Sequence, residues 1–269
     1  MLKVLAAAAA LATAAMTTGP ALAVTAATAA NAPEMSRQEK RDHDLFLRAS
    51  ADFQRRGHSA LARHLPALRQ ALDRMPTDYG QVVEQDGRTI IRVSDPSDVL
   101  IMLTALAASG SKREPPESGA AAMPNVYGDI TLMLASEAVE ARRYEEGIAY
   151  LDRTLKIQPQ NWMLLSEKIA ALQGLARWEE ALALGDDALA SPDLLMLLHR
   201  GPFYRRRGFS LIELGRLEEA KAAYEAALEL DPEDANAKRE LEYIDQLKAG
   251  ASPTEPQVVA PLPSGAPKS

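Results

Sequence analysis

Residues 215–232 read "GRLEEAKAAYEAALELDP". From Leu217 onward an apolar residue returns every third or fourth position, the period of one helical face. Asp231 and Pro232 end the run, as a proline just past a helix does. The face is mostly alanine: Ala220, Tyr224 and Ala227 form the stripe, with Leu217, Leu228 and Leu230 beside it. A helix that buries alanine lets a second helix approach closely, so the stretch predicts a tight helical pair.

The partner becomes visible when the stretch is compared with the rest of the chain. "ARRYEEGIAYLDRTLKIQP" (141–159), "LARWEEALALGDDALASPD" (175–193) and "LGRLEEAKAAYEAALELDP" (214–232) share one plan. Each has Arg, a bulky apolar residue, Glu-Glu and a small residue, and each closes with Leu and then Pro. Tyr144 to Trp178 is 34 residues and Trp178 to Leu217 is 39, so five residues are inserted before the third copy. A period of 34 predicts a stack of two-helix units.

The chain resembles the tetratricopeptide repeat (TPR) family on these residues. In the third unit Tyr204, Gly208 and Leu211 fall on a first helix, Gly215 turns the chain, and Leu217, Ala220, Tyr224 and Ala227 fall on a second helix that Pro232 ends. The first unit keeps Ala135, Tyr144, Gly147, Leu155 and Pro159, with Leu151 where an aromatic is usual. The second departs further: Ile169 replaces a small residue and Gly185 a large one, a pair expected to compensate in volume. The resemblance implies an all-α fold, a TPR-type α-solenoid of helical hairpins. Three units are expected at 128–161, 162–195 and 201–234, closed by a capping helix at 235–249 with Leu241, Ile244 and Leu247 facing inward.

Upstream, a helical N-terminal region is expected over 36–108. Leu45, Phe46, Ala49 and Phe53 recur at helical spacing, as do Leu61, Leu65, Leu68 and Leu72, with a turn at Gly57. Residues 45–78 read as a degenerate further repeat or as an unrelated helical hairpin. Residues 79–93 carry two β-branched runs about Asp86-Gly87 and predict a small β-hairpin. Asp95-Pro96 begins a short apolar helix. Residues 109–124, with three prolines, read as a linker, and the Pro-rich stretch 250–269 as a disordered tail.

The first 23 residues, "MLKVLAAAAALATAAMTTGPALA", are laid out as a secretory signal: Lys3, an apolar run from Val4 to Met16, Pro20 and a small-x-small triplet ending at Ala23. The run falls short of the roughly 20 residues a membrane span needs. We therefore expect cleavage after Ala23, a disordered 24–35, no stable membrane span afterwards, and a periplasmic or secreted bacterial protein. An uncleaved anchor is the alternative.

Composition narrows the function classes. The chain is 47% hydrophobic and 25% charged with only 5% aromatic residues, which favours closely packed helices. Its formal charge of −7 gives nucleic-acid binding little electrostatic support, and the run "YRRRG" (204–208) points in three directions on a helix. There is no cysteine, which removes disulfides, thiol nucleophiles and Cys-ligated zinc. His43, His58, His64 and His199 form no metal-binding spacing. The repeated Glu pairs, such as Glu179-Glu180 and Glu218-Glu219, read as helix-start charges. No cofactor, metal or catalytic residue is expected.

Beyond the fold, the resemblance implies a partner-binding groove lined by the first helix of each unit. Its expected residues are Leu132, Ser136 and Val139 from the first unit, and Met163, Ser166, Ala170 and Gln173 from the second. Arg205, Phe209 and Glu213 come from the third, with Arg239 and Tyr243 from the cap. Apolar area with a few polar groups suits a protein or peptide segment. The members of the family that grip a chaperone's C-terminus want Lys and Asn at positions held here by Leu132, Ser136 and Ser166, which argues against that role. Two other readings stand beside the groove: repeats that only pack on the N-terminal region, and an enzyme with its site within 36–108.

Overall fold

The computed structural model describes residues 34–85, 88–95, 98 and 120–253. The signal segment, residues 24–33, the turn at Asp86-Gly87, the apolar helix expected after Asp95 (save Asp98), most of the 109–124 linker and the tail from 254 lie outside the described residues. Among the described residues ten helices and three strands succeed one another. They are α1 (Arg37–Arg56), a 3-10 turn (His58–Leu61), α2 (Leu65–Asp73), β1 (Val82–Gln85), β2 (Arg88–Val93) and β3 (Ala120–Pro124). The rest are α3 (Val126–Glu140), α4 (Tyr144–Leu155), α5 (Trp162–Gly174), α6 (Trp178–Ala190), α7 (Leu194–Leu198), α8 (Arg200–Glu213), α9 (Leu217–Leu230) and α10 (Ala235–Lys248).

Helices α3 to α10 form a stack. Each packs on its sequence neighbour within a pair, and α3 also packs on α5 and α5 on α8. The turn inside each pair is the same device. Arg142, Ala176 and Gly215 take left-handed φ of 57°, 56° and 72° at equivalent positions. The next N–H reaches back across the turn, Arg143 to Ala138 O at 2.7 Å, Arg177 to Leu172 O at 3.0 Å and Arg216 to Leu211 O at 2.8 Å. This satisfies carbonyls that the helix end leaves over. Only the third unit supplies a glycine there.

The second helices α4, α6 and α9 lack a capping side chain. Their starts are held by the repeated Arg and second Glu instead: Arg143–Glu146 at 2.6 Å, Arg177–Glu180 at 2.6 Å and Arg216–Glu219 at 2.6 Å. The Glu pairs are thus start-of-helix charges, as their spacing suggests. Elsewhere a polar residue caps the helix, Asn161 for α5, Asp193 for α7 and Asp234 for α10.

The alanine stripe does what its composition predicts. Ala220, Ala223, Tyr224 and Ala227 are buried, and Tyr224 lies so close to α8 that a Cβ on Gly208 would stand 2.5 Å from its ring. Leu230 does not belong to the stripe; it is 56% exposed at the last turn of α9, beyond the reach of α8 and α10. In the second unit a Cβ on Gly185 would meet Ile169 Cδ1 at 3.8 Å, so the larger residue fills the volume beside the smaller. The five extra residues before the third unit are taken up by α7, which buries Leu195 and Met196.

The N-terminal region is fastened to the first unit. Helix α1 starts on the Ser36 cap and stops at Gly57. Ala49, Phe53, Leu68, Ala71 and Leu72 pack with Val126, Tyr127, Ile130 and Leu134 of α3. Strands β1 and β2 pair antiparallel, Val82 with Ile91 through Gln85 with Arg88, as the expected hairpin requires. The linker reading needs correction: residues 120–124 form β3, parallel to β2, with Thr89 opposite Ala120 and Val93 opposite Pro124. "AAAMP" has little strand propensity of its own, and pairing with the buried Ile90 and Ile91 strand decides its state. Below the sheet, Gln158 joins Asn125, Asn161 and the Tyr79 carbonyl through hydrogen bonds of 2.9 to 3.0 Å.

Candidate partner-binding face

The first helices α3, α5 and α8, with α10, present their inner sides in register, and the ten groove residues fall on these four helices. They divide into two groups. Leu132, Ser136, Met163, Ser166 and Gln173 are each less than a tenth exposed. Leu132 and Met163 pack with Ala135, Leu151 and Leu164 in one apolar cluster. Gln173 Nε2 donates to Arg206 O at 2.8 Å and to Ser210 Oγ at 2.9 Å, so it ties α5 to α8. These five residues are corrected from partner contacts to interior ones. Periodicity puts a residue on a face, but how far the next helix covers that face is a matter of helix separation.

The closed part of the face holds charge that the apolar surroundings disfavour. Glu167 on α5 is fully buried, with no hydrogen-bond partner on either carboxylate oxygen. Burial pushes its carboxyl up to about 7; Arg206 and Ser136 favour the charged form but neither closes a hydrogen bond on it. Burial likewise lowers the Arg206 guanidinium from its ordinary value, against the Glu167 charge. Asp129, at the start of α3, is pushed up to about 7 by burial, with the Ser94 side chain its hydrogen-bond partner. The stretch after β2 is also held at the third unit: Asp98 Oδ1 lies 2.9 Å from His199 Nε2, and the His199 ring stacks on Trp162 at 3.9 Å between centroids. Residues 94 and 98 therefore meet the starts of α3 and α8.

None of this is among the sequence-based expectations. A signal for Glu167 exists, as one acidic residue in an α5 otherwise apolar on three sides. Asp98 and His199 lie 101 residues apart, and no periodicity joins them.

The other five groove residues lie toward the C-terminal end. Arg239 is exposed, and Arg205, Phe209, Glu213 and Tyr243 are half-buried. Arg205 Nη1 pairs with Asp234 Oδ2 at 2.6 Å, joining α8 to the cap of α10. Phe209 stands edge-on to Trp178, ring centroids 5.9 Å apart. Part-burial and the neighbouring Glu240 charge raise the Glu213 carboxyl above its ordinary value.

Two polar clusters occupy the N-terminal region, where the sequence shows only scattered charge. Buried Asp52 accepts from Arg55 at 2.7 Å and Arg56 at 3.0 Å, and faces His64 at 2.7 Å and Arg63. The four donors hold its carboxyl far below the usual range, Arg63 first. Buried Asp42 takes Arg74 at 2.6 Å and the Tyr127 hydroxyl at 3.1 Å, while the Tyr79 hydroxyl donates to Glu39 at 2.8 Å. In both, each charge is spent on a neighbour within the fold. Among the described residues no group of three or more His, Asp or Glu is placed to hold a metal, and no helix is long and apolar enough to cross a membrane.

Comparison with known proteins agrees with the repeat architecture. Residues 202–234 match the tetratricopeptide repeat family model. The Hsp70-Hsp90 organizing protein of Triticum aestivum is 35% identical over 116 residues, 43% of this chain and 19% of that protein. RNA polymerase II-associated protein 3 of Homo sapiens is 32% identical over 117 residues, 43% of this chain and 16% of that protein. The chain thus spans less than a fifth of the length of these relatives. Among solved structures, the first TPR of Spaghetti (RPAP3) bound to the HSP90 peptide SRMEEVD aligns at 28% identity with a TM-score of 0.40, over 45% of this chain and 92% of that one. Residues 202–234 are a tetratricopeptide repeat, and the helical pairs before them with the helix after them build a TPR-type stack.

Proposed function

We propose that this chain is a non-catalytic protein-interaction module that holds a segment of a partner on the C-terminal half of its inner face, between α8 and α10. The observation carrying this reading is the split of that face: five of the ten groove residues are spent inside the fold, and Arg205, Phe209, Glu213, Arg239 and Tyr243 remain within reach of a partner. Half-buried aromatics beside charged groups are what an extended segment needs for grip and for orientation. The sequence likeness to an Hsp70-Hsp90 organizing protein, named for the proteins it brings together, supports a role in holding protein partners. Photo-crosslinker placed at Phe209 should capture partner protein, and the same group at exposed Ala222 on α9 should not. Equal capture at both positions, or capture at Ala222 alone, would remove the face from consideration.

The setting we propose is the bacterial cell envelope, periplasmic or secreted, reached by cleavage after Ala23. Its support is the order of Lys3, apolar run, Pro20 and small-residue triplet. N-terminal sequencing of the protein recovered from the envelope fraction should begin at Val24. A start at Met1 in a membrane pellet would favour a retained anchor instead.

A further inference from the structure

The two signs of charge on the open half of the inner face are not equally spent. Arg205 is paired with Asp234 at 2.6 Å, Arg207 with Asp186 at 2.8 Å and Arg216 with Glu219 at 2.6 Å. Arg206 is buried beside the Glu167 charge and reaches Gln173 Oε1 at 3.4 Å, and Arg239 donates to Asn236. The carboxylates fare differently. Glu213 on α8 and Glu240 on α10 take part in no hydrogen bond or ion pair among the described residues. They are close enough for the Glu240 charge to be felt at Glu213, and part-burial raises both carboxyls. Deeper along the same wall Glu167 is fully buried with both oxygens unpartnered. Three carboxyl groups on successive helices thus lack a hydrogen-bonded counter-ion, and the arginines around them are otherwise engaged.

We propose that the open half of the inner face seats a cationic side chain, a Lys or Arg of an extended partner segment, between Glu213 and Glu240. The inference rests on the reading of this face as a partner site and adds the sign of the partner. A cation placed there relieves the repulsion between two like charges and supplies the donors both carboxylates lack. Phe209 and Tyr243, on the same two helices, offer apolar area along the stem of such a side chain.

A display library of random dodecapeptides selected on the full chain tests this directly. The pool recovered should be enriched in Lys and Arg, and the tightest peptide should lose about tenfold in affinity when Glu213→Gln and Glu240→Gln are combined. Both positions are partly exposed, and Gln keeps their shape, so the double variant should melt with the parent. Enrichment in Asp and Glu would overturn the proposed sign while leaving the face as a binding site. Lys and Arg enrichment that survives the double variant would overturn the proposed seat. A pool enriched in nothing would sink both the seat and the partner-binding reading beneath it.

Discussion

The N-terminal and C-terminal halves of the inner face are built from the same repeat and behave differently. In α3 and α5 the inward positions are Leu132, Ser136, Met163, Ser166 and Gln173, and all are buried. In α8 and α10 the corresponding side carries Arg205, Phe209, Glu213, Arg239 and Tyr243, and all keep some exposure. A repeat fixes which way a side chain points, while burial depends on the neighbours that pack against it. At the first half Ser94 and Asp98, from the stretch after β2, are anchored at Asp129 and His199. At the second half, among the described residues, the chain supplies only the capping helix.

The greatest change should come from disrupting the open half. Gly208→Leu drives a side chain into the Tyr224 ring, where even a Cβ would stand at 2.5 Å, and should cost about 3 kcal/mol. The readout is the midpoint of urea unfolding followed by circular dichroism; an unchanged midpoint would disprove the close packing of α8 on α9.

The closed half should respond to pH. Glu167 and Asp129 have carboxyls raised to about 7 in the fold from ordinary values of 4.5 and 3.8. The folded chain therefore keeps protons that the unfolded chain releases. Stability from these groups is full below the unfolded pKa and declines as pH rises from about 4 through 7. Carboxylates held low, Asp52 among them, act in the opposite sense and at lower pH. Melting temperature should fall between pH 5.5 and 8.5, and Glu167→Gln should flatten that slope and recover about 2 kcal/mol at the upper end. A slope that Glu167→Gln leaves untouched would contradict a buried, unpartnered carboxyl.

Smaller effects refine the contrast between the halves. His199→Ala removes both the Asp98 contact and the stack on Trp162, and should cost about 1.5 kcal/mol. Hydrogen exchange should then speed up in α3 and α5 and stay level in α9 and α10; uniform acceleration would argue against a local anchor. Ala176→Gly should raise stability by up to about 1 kcal/mol, because Ala176 holds the left-handed turn that Gly215 occupies at no steric cost. A lower midpoint for this variant would mean the turn is not strained.

The helical pairs are legible in the sequence because their determinants are local. The Arg–x–Glu–Glu starts, the alanine stripe through Ala220 and Ala227 and the proline stops each act within one unit. Strand β3 escapes such reading because alanines 120–122 owe their conformation to Ile90 and Ile91, some thirty residues away. The closed half of the face escapes it for the same reason. Its anchors, Asp98 to His199 and Ser94 to Asp129, join residues whose only relation is in the folded chain. Gln173 shows the intermediate case, correctly placed on the inner side of α5 yet consumed by Ser210 and the Arg206 carbonyl.

The absence of any native cysteine allows the division of the face to be measured without background. Single cysteines at positions 132, 136 and 166 should react with a maleimide far more slowly than cysteines at 209, 239 and 243, by about a hundredfold or more, since a buried thiol must wait for local opening. Comparable rates at all six positions would contradict a face that is closed at one end and open at the other.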